Sequence, residues 1–277
     1  MYIVMMEVAM LSRAREGSVR ITNTLMPYVT FGKGTRHLVI LPGLGDGFRT
    51  VKGAAIPLAW MYRAFAKDYR IWIFSRKEHL EEGISTRDMA RELKRAFEIL
   101  GIQRASVMGI SMGGMIAQYL AIDFPEVVDK LILVVSISTP NPLMVRNLTY
   151  WMELAKEGDY ESLMKDSTVK YYSEKTLKRK KWLLPIAVKA TKPKSMVRFL
   201  RQAHAALYHD AYEELHKIHA PTLLIGGGKD MTLGPDASIE MAERIRGCHL
   251  YIYPKLGHAA YEEARNFKPL VLQFLRS

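Results

Sequence analysis

Short apolar runs recur along the chain, and segments with helical periodicity separate most of them. Each run is rich in Val, Ile and Leu, which is typical of strands buried on both faces. Strands that alternate with helices predict a mostly parallel sheet covered by helices on both sides, an α/β fold. An earlier stretch, 19–31, indicates an antiparallel hairpin that leads into the sheet. The predicted strands of the parallel part are 37–41, 69–74, 105–109, 130–136, 222–226 and 249–253.

The alternation breaks once, after the apolar run at 130–136. A Thr-Pro-Asn-Pro sequence begins at Thr139, and a helical pattern continues to His219 before the strand pattern resumes. This stretch is too long for a crossover helix. We therefore expect residues 139–219 to form a helical lid, inserted over the carboxyl edge of a core made of residues 1–138 and 220–277. Apolar positions at helical spacing either pack the lid on the core or line a pocket; they are Met196, Phe199, Leu200, Ala203 and Leu207.

Positive charge is concentrated in this predicted lid. The chain has a formal net charge of +12, and residues 165–201 alone hold twelve Lys or Arg against Asp166 and Glu174. A basic segment can attract an anionic substrate, a membrane surface or nucleic acid, or it can simply be a solvated helix face. Because no nucleic-acid-binding motif accompanies it, we expect no nucleic-acid partner.

Three further features of the sequence indicate a cytoplasmic protein. Cys248 is the single cysteine, so an internal disulfide is excluded. The apolar residues 1–11 precede Arg13 and Arg15, whereas a secretory signal carries its positive charge first. The apolar runs are also too short to span a bilayer, so we expect no integral membrane association.

The most informative motif is a G-x-S-x-G pentapeptide, Gly109 to Gly113, between a strand pattern and a helical pattern. A serine in so tight a turn adopts a strained backbone, and small neighbours let the chain pass closely. The turn raises the Ser111 hydroxyl above the sheet and places the Met112 N–H at a helix N-terminus, where it can stabilise an oxyanion. The motif predicts a nucleophilic Ser111. A chance serine in an ordinary turn is the alternative.

A nucleophilic serine needs a base, and the base needs a carboxylate to orient it. Asp230 follows the predicted strand at 222–226, and His258 follows the strand at 249–253. In a parallel sheet, the carboxyl ends of these strands lie at one edge together with Ser111. The sequence thus predicts a Ser111, Asp230, His258 triad. Asp236 is the alternative acid, although it lies farther beyond the strand end.

The loop after the first parallel strand, residues 42–47, is rich in glycine. Such a loop can present backbone N–H groups to a ligand, and we expect Leu44 to supply the second oxyanion donor. A glycine-rich loop after a strand also suggests dinucleotide binding. However, its glycines lack the G-x-G-x-x-G spacing, and no acidic residue ends the next strand. No metal or cofactor is implied.

Four motifs, taken in order, resemble the α/β-hydrolase fold family: a strand followed by Pro-Gly-Leu-Gly, then Gly-Ile-Ser-Met-Gly-Gly, Gly-Gly-Lys-Asp and Leu-Gly-His. Within that family the chain is similar to small, lid-bearing esterases, enol-lactonases and haloperoxidase-like serine hydrolases. The resemblance covers residues 22–277 apart from the lid, and it implies a mostly parallel twisted sheet flanked by helices. It also implies roles for five residues: Ser111 as nucleophile, Asp230 as acid, His258 as base, and Met112 with Leu44 as oxyanion hole.

The chain departs from the family pattern at two positions. Many relatives have a histidine where this chain has Pro42, and relatives tend to carry Asp-x-x-Gly where this chain has Ser75-Arg76-Lys77. Neither departure touches the predicted triad. Both are expected to reshape the mouth of the pocket.

These features predict a serine hydrolase that cleaves a small to medium carboxylic ester or lactone through an acyl-enzyme intermediate. An anionic substrate is expected if the basic lid attracts it. The same triad also serves C–C bond hydrolases, aminopeptidases and enzymes that transfer the acyl group to an acceptor other than water. An aminopeptidase needs carboxylates near the pocket, and the lid has few. A ligand-binding protein of the same fold with slow turnover is the remaining alternative.

Overall fold

A twisted sheet of eight strands forms the centre of the fold, in a computed structural model that describes residues 14–180, 182 and 184–277. The strands in chain order are β1 (Arg15–Ile21), β2 (Thr24–Phe31), β3 (Arg36–Leu41), β4 (Tyr69–Phe74), β5 (Ala105–Ile110), β6 (Val128–Val134), β7 (Thr222–Gly227) and β8 (His249–Tyr253). Their order across the sheet is β1-β2-β4-β3-β5-β6-β7-β8. Strand β2 pairs antiparallel with β1 and with β4, and every later pair is parallel.

The predicted α/β fold is confirmed. All six predicted parallel strands are present, and the hairpin expected at 19–31 is β1 with β2. The hairpin begins four residues earlier than predicted, at Arg15. Among the parallel strands the largest difference in position is at β6, which begins and ends two residues earlier than the predicted 130–136. Val135 adopts a positive φ of 43°, which extended strand backbone does not allow, so the strand ends before it.

Helices cover both faces of the sheet. They are α1 (Ala55–Tyr62), α2 (Thr86–Leu100), α3 (Met112–Asp123), α4 (Pro142–Glu157), α5 (Tyr160–Tyr171), α6 (Glu174–Lys180), α7 (Leu184–Thr191), α8 (Val197–Leu207), α9 (Ala237–Arg244), α10 (Ala260–Glu263) and α11 (Phe267–Arg276). Side chains alternate along β6, so that Leu131 and Leu133 pack towards α2, α3 and α9, while Ile132 and Val134 pack towards α1 and α11. Within the described ranges, no helix is long and apolar enough to cross a membrane.

Helix α2 shows how local sequence sets the ends of an element. Ser85 and Asp88 form a capping box, in which each side chain accepts a hydrogen bond from the backbone N–H of the other. Gly101 ends the helix with a φ of 69°, a left-handed conformation that glycine adopts readily. Leu93 and Phe97 lie on the buried face, and this apolar stripe attaches the helix to the sheet.

Helices α4 to α8 fill the stretch between β6 and β7 where the strand alternation was predicted to break. The apolar positions expected at helical spacing pack on the main apolar cluster: Phe199 and Ala203 are buried, and Met196, Leu200 and Leu207 are partly buried against it. The helical content of this stretch agrees with the expectation. Its division from the core as a separate lid, residues 139–219, stays a prediction.

We expect Phe97→Ala to lower the free energy of unfolding by about 3–5 kcal/mol, because it leaves a cavity between α2 and the sheet. Phe97 is fully buried, whereas Ile99 on the same helix is 49% exposed. The matched variant Ile99→Ala should therefore change stability by less than about 1 kcal/mol. Urea unfolding of both variants measures this difference. Equal losses would contradict the assigned orientation of the helix.

Candidate active site

Ser111 lies in the turn between β5 and α3, where the backbone has almost no space. Its φ of 52° and ψ of −120° lie in a region that residues with a side chain rarely adopt. A Cβ on Gly109 would lie 2.4 Å from the Gly113 carbonyl oxygen, and a Cβ on Gly113 would lie 2.1 Å from the Leu41 carbonyl oxygen. Glycine at both positions lets the helix pass this close to the strands. The serine is thereby held at the carboxyl edge of the sheet.

The structure brings the three predicted triad side chains together. The Ser111 hydroxyl lies 3.0 Å from Nε2 of His258, and Nδ1 of His258 lies 2.7 Å from Oδ2 of Asp230. His258 and Asp230 are almost completely buried, at 2% and 5% exposure. The three residues come from the carboxyl ends of β5, β7 and β8, as their positions in the sequence predicted.

The surroundings of Asp230 fix the orientation of the histidine. Oδ1 of Asp230 accepts hydrogen bonds from the backbone N–H groups of Thr232 at 2.7 Å and Leu233 at 3.0 Å. These bonds hold the carboxylate so that Oδ2 faces His258. An ionised carboxylate can only accept, so Nδ1 of His258 carries the proton, and Nε2 is left to accept the Ser111 hydroxyl proton. The arrangement can therefore deprotonate a serine.

The alternative acid and the other histidines lie elsewhere. Asp236 is an exposed residue at the start of α9 and makes no cap hydrogen bond from its side chain. His209 is buried against Thr86 and Gln118, and burial lowers its pKa to about 3, so it is a neutral structural residue. His37 accepts a hydrogen bond from the Trp72 indole. The geometry thus places Asp230, rather than Asp236, beside His258.

Leu44 and Met112 both border the space next to Ser111. Leu44 begins a short 3₁₀ helix, Leu44–Gly47, and Met112 is the first residue of α3. Within the described part of the chain, neither backbone N–H donates a hydrogen bond. Both N–H groups are therefore available to a bound oxyanion, and at Met112 the helix dipole adds to the attraction.

The cavity beside Ser111 is narrow and mostly apolar. It has a volume of about 20 Å³, which is room for a single water molecule. None of the described residues that line it is charged. In this conformation the space beside Ser111 is smaller than an ester or diketone substrate. The lining residues are Leu44, Ser111, Met112, Met115, Met144, Asn147, Leu148, Trp151, Tyr171, Ala206, Thr232 and Leu233.

Sequence reasoning did not identify the lining residues that helices α4 and α5 contribute. The Tyr171 ring centre lies 4.8 Å from that of His258, and burial raises the pKa of its hydroxyl. Asn147 donates hydrogen bonds from its side-chain amide to the carbonyl oxygens of Met231 and Thr232, just beyond Asp230. The spacing of Met144, Asn147, Leu148 and Trp151 along one helical face was the available signal.

Among the residues that the structure describes, no charged side chain of the basic stretch at 165–201 lines the cavity, although Tyr171 of the same stretch does. Several of its cations are already paired: Lys170 with Asp166 and Lys178 with Glu174 at 2.6 Å each, and Arg198 with Asp46 at 2.5 Å. Since no described lining residue is charged, this segment could influence an anionic substrate only from a distance. Attraction of such a substrate stays a prediction.

A comparison with known families identifies the class of protein to which this fold belongs. Residues 36–264 match the family model of the alpha/beta hydrolase fold. The chain therefore belongs to the α/β-hydrolase fold family, and the resemblance inferred from its motifs is confirmed.

Three individual proteins show what this chain is similar to. A 2-hydroxy-6-oxononadienedioate/2-hydroxy-6-oxononatrienedioate hydrolase from Pseudomonas sp is 30% identical over 192 residues, which are 67% of this chain and 68% of the relative. A 2-hydroxy-6-oxo-6-phenylhexa-2,4-dienoate hydrolase from Comamonas testosteroni is 30% identical over 68% of each protein. The enol-lactonase from Burkholderia xenovorans LB400 superposes with a TM-score of 0.80 at 18% identity, covering 94% of this chain and 100% of that one. The last likeness concerns the fold alone.

We expect Gly113→Ala to lower the free energy of unfolding by about 1–3 kcal/mol, because the new methyl group would force α3 away from β3. Gly45, in the neighbouring loop, has no atom within 4 Å of the position of an added Cβ. Gly45→Ala should therefore cost less than about 1 kcal/mol. Thermal unfolding of the two variants provides the comparison. A Gly113→Ala protein as stable as Gly45→Ala would contradict the close approach described for this turn.

Proposed function

We propose that this protein is a serine hydrolase in which Ser111 attacks a carbonyl carbon, His258 is the general base and Asp230 orients the histidine. The observation that carries this proposal is the continuous chain of hydrogen bonds from Ser111 through His258 to Asp230, with distances of 3.0 and 2.7 Å. In the same arrangement, the N–H groups of Met112 and Leu44 are the proposed oxyanion hole. The proposal requires no metal or cofactor.

The proposed reaction has two stages. His258 takes the hydroxyl proton as Ser111 forms a bond to the carbonyl carbon, and the Met112 and Leu44 N–H groups stabilise the negative oxygen. The bond to the leaving group then breaks, and the leaving group receives the proton from the histidine. Water, activated by the same histidine, next attacks the acyl-enzyme and releases the acid.

The names of the relatives favour a carbon leaving group over the alcohol of an ester. Both relatives at 30% identity are hydrolases of 2-hydroxy-6-oxo dienoate-type compounds, which have a ketone within a chain of conjugated carbons. These names support C–C bond hydrolysis, which the sequence offered as an alternative, better than they support ester cleavage. In that case the dienol must first become its keto tautomer, in which the proton of the 2-hydroxyl group has moved to the carbon next to the ketone. That carbon can then leave as an enolate, which His258 protonates. We therefore propose C–C bond hydrolysis of a ketone substrate as the first function.

A second candidate, cleavage of an uncharged ester or lactone, is favoured by the lining of the cavity. That lining is mostly apolar, and none of its described residues offers a cation to a substrate carboxylate. It equally lacks a carboxylate to hold a substrate ammonium group, which counts against an aminopeptidase. Both remaining candidates use the same nucleophile and differ in the group that leaves.

We expect wild-type protein to turn over a C–C substrate faster than any ester of matched size. The panel contains 2-hydroxy-6-oxo dienoates with methyl and phenyl ends, an uncharged β-diketone, p-nitrophenyl esters from acetate to decanoate, and simple lactones. Ser111→Ala should lower kcat by at least about a thousandfold on every substrate that the wild type accepts. Ser106→Ala, a buried serine at the other end of β5, is the control and should keep full activity.

The pattern of turnover separates the two candidates. Activity on esters or lactones alone would replace the C–C assignment with the second candidate. Activity that survives in Ser111→Ala would show that Ser111 is not the nucleophile.

We expect Asp230→Asn to lower kcat/KM by about 10³- to 10⁴-fold, because an amide at this position favours the wrong tautomer of His258. Asp236→Asn is the matched control and should stay within about twofold of the wild type, since Asp236 is exposed and the carboxylate hydrogen-bonded to His258 is that of Asp230. Steady-state kinetics on the best substrate of the panel measures both. A large loss in Asp236→Asn with a small one in Asp230→Asn would reverse the assignment of the acid.

A further inference from the structure

Arg76 is a buried cation that lies against the loop carrying the Leu44 N–H. It follows β4, and its side chain is 4% exposed. Its Nη1 donates a 3.3 Å hydrogen bond to the carbonyl oxygen of Gly43. The Nε and Nη2 atoms have no hydrogen-bond partner among the described residues. The Gly43 carbonyl is therefore the acceptor that this guanidinium engages by a hydrogen bond.

The Gly43 carbonyl and the Leu44 N–H belong to the same peptide group. That peptide is trans and planar, so the carbonyl oxygen and the N–H point in opposite directions. The oxygen side is occupied by Arg76 and by the Asp46 N–H, which donates to the Gly43 oxygen at 3.2 Å. A Cβ built on Gly43 would lie 3.8 Å from the Ser111 hydroxyl oxygen, so this peptide stands directly beside the serine.

We propose that Arg76 is a positioning residue for the oxyanion hole. Through its hydrogen bond to the Gly43 carbonyl, it fixes the plane of the Gly43–Leu44 peptide and makes the Leu44 N–H a stronger donor. A hydrogen bond from a cation to a carbonyl polarises the whole peptide group, and the effect is larger in a buried environment. The inference rests on the proposed function, because it assigns a purpose to Arg76 only if Leu44 binds an oxyanion.

The residues around Arg76 hold it in place and leave it charged. Asp46 accepts hydrogen bonds through Oδ2 from the Arg76 backbone N–H at 3.2 Å and from Arg198 at 2.5 Å. Arg198 also donates to the Arg76 carbonyl oxygen at 2.9 Å. Burial lowers the pKa of Arg76 to about 10, with Asp46 opposing this shift and Arg198 adding to it, so the guanidinium stays protonated at neutral pH. Nη1 of Arg76 also lies 3.7 Å from Oδ2 of Asp46, which is within ion-pair distance but too long for a hydrogen bond. The guanidinium groups of Arg76 and Arg198 therefore share one carboxylate, and positive charge remains to act on the peptide.

Helix α8 also contacts the loop that carries the Leu44 N–H. Arg198 lies in its first turn and also donates to the Asp46 carbonyl oxygen. The next residue, Phe199, packs so closely against Gly47 that a Cβ added to this glycine would lie 2.7 Å from the Phe199 Cα. The Phe199 ring also stacks on Phe48, with 4.5 Å between the ring centres. The loop is therefore held between the end of β4 and the start of α8.

The neighbouring residue Lys77 provides a matched control. It is also a buried cation, with a side chain 3% exposed, and it pairs with Glu81 and Glu92 at 2.6 Å each. Its side chain makes no described contact with the Gly43–Leu44 peptide. Replacing Lys77 therefore removes a buried charge from the same segment and leaves the proposed oxyanion hole untouched.

The test uses an alkyl fluorophosphonate with a fluorescent tag, whose phosphoryl oxygen occupies the oxyanion position while Ser111 displaces fluoride. We expect wild type to be labelled at Ser111 and Ser111→Ala to remain unlabelled. Arg76→Met should label about 10- to 100-fold more slowly, somewhat less than the loss typical of a missing oxyanion donor. Lys77→Met should label within about twofold of wild type although it loses thermal stability. Arg76→Lys, which keeps the buried cation, should fold and label at an intermediate rate; it carries the test if Arg76→Met does not fold.

The outcomes separate this inference from the proposed function. Wild-type protein that is not labelled at Ser111 would refute the proposed nucleophile and the inference with it. Labelling of the wild type together with unchanged rates in the folded Arg76 variants would refute the role of Arg76 alone. An equal slowing in Lys77→Met would also refute it, because the effect would then follow from general loosening of the segment.

Discussion

The close approach of helix α3 to strands β5 and β3 is the constraint on which the site depends. Ser111 keeps a positive φ there because the two glycines beside it leave the backbone room to turn. The cost of this strained backbone is offset by the burial of α3 along nearly its whole length. Close packing restricts the movement of this helix, so the serine hydroxyl is held at the carboxyl edge of the sheet.

Backbone hydrogen bonds between two loops hold Asp230 and His258, the partners of Ser111. The loops after β7 and β8 are joined by backbone hydrogen bonds, from Gly228 to the Tyr253 carbonyl and from Lys229 to the Leu256 carbonyl, both at 2.9 Å. These bonds hold Asp230 and His258 in one unit, independent of the turn that carries the serine. The candidate triad is thus assembled from two rigid parts that meet at the carboxyl edge of the sheet, where parallel strands collect such groups.

Helices α4 to α8, between β6 and β7, contribute to the cavity at the carboxyl edge of the sheet. They supply Met144, Trp151 and Tyr171 to a cavity that has room for only about one water molecule. The same helical segment supplies Arg198, which is bound to the loop that carries Leu44. Movement of this segment would therefore change both the size of the cavity and the support of the loop. The departure from the family pattern at Ser75-Arg76-Lys77 lies at this contact and gives it a buried cation.

Much of the fold and the candidate triad followed from the sequence because those features depend on local rules. Apolar runs of strand length gave the strands, and the spacing of glycines around Ser111 indicated the turn, since both are set by residues close together in the chain. The position of Asp230 and His258 after strands indicated their meeting with Ser111. The tertiary structure decided what the sequence left open: Asp230 rather than Asp236 faces the histidine, and Tyr171 and Asn147 border the cavity. It also decided that Arg76 contacts Gly43. Those contacts join residues far apart in sequence, and their geometry exists only once the helices have packed on the sheet.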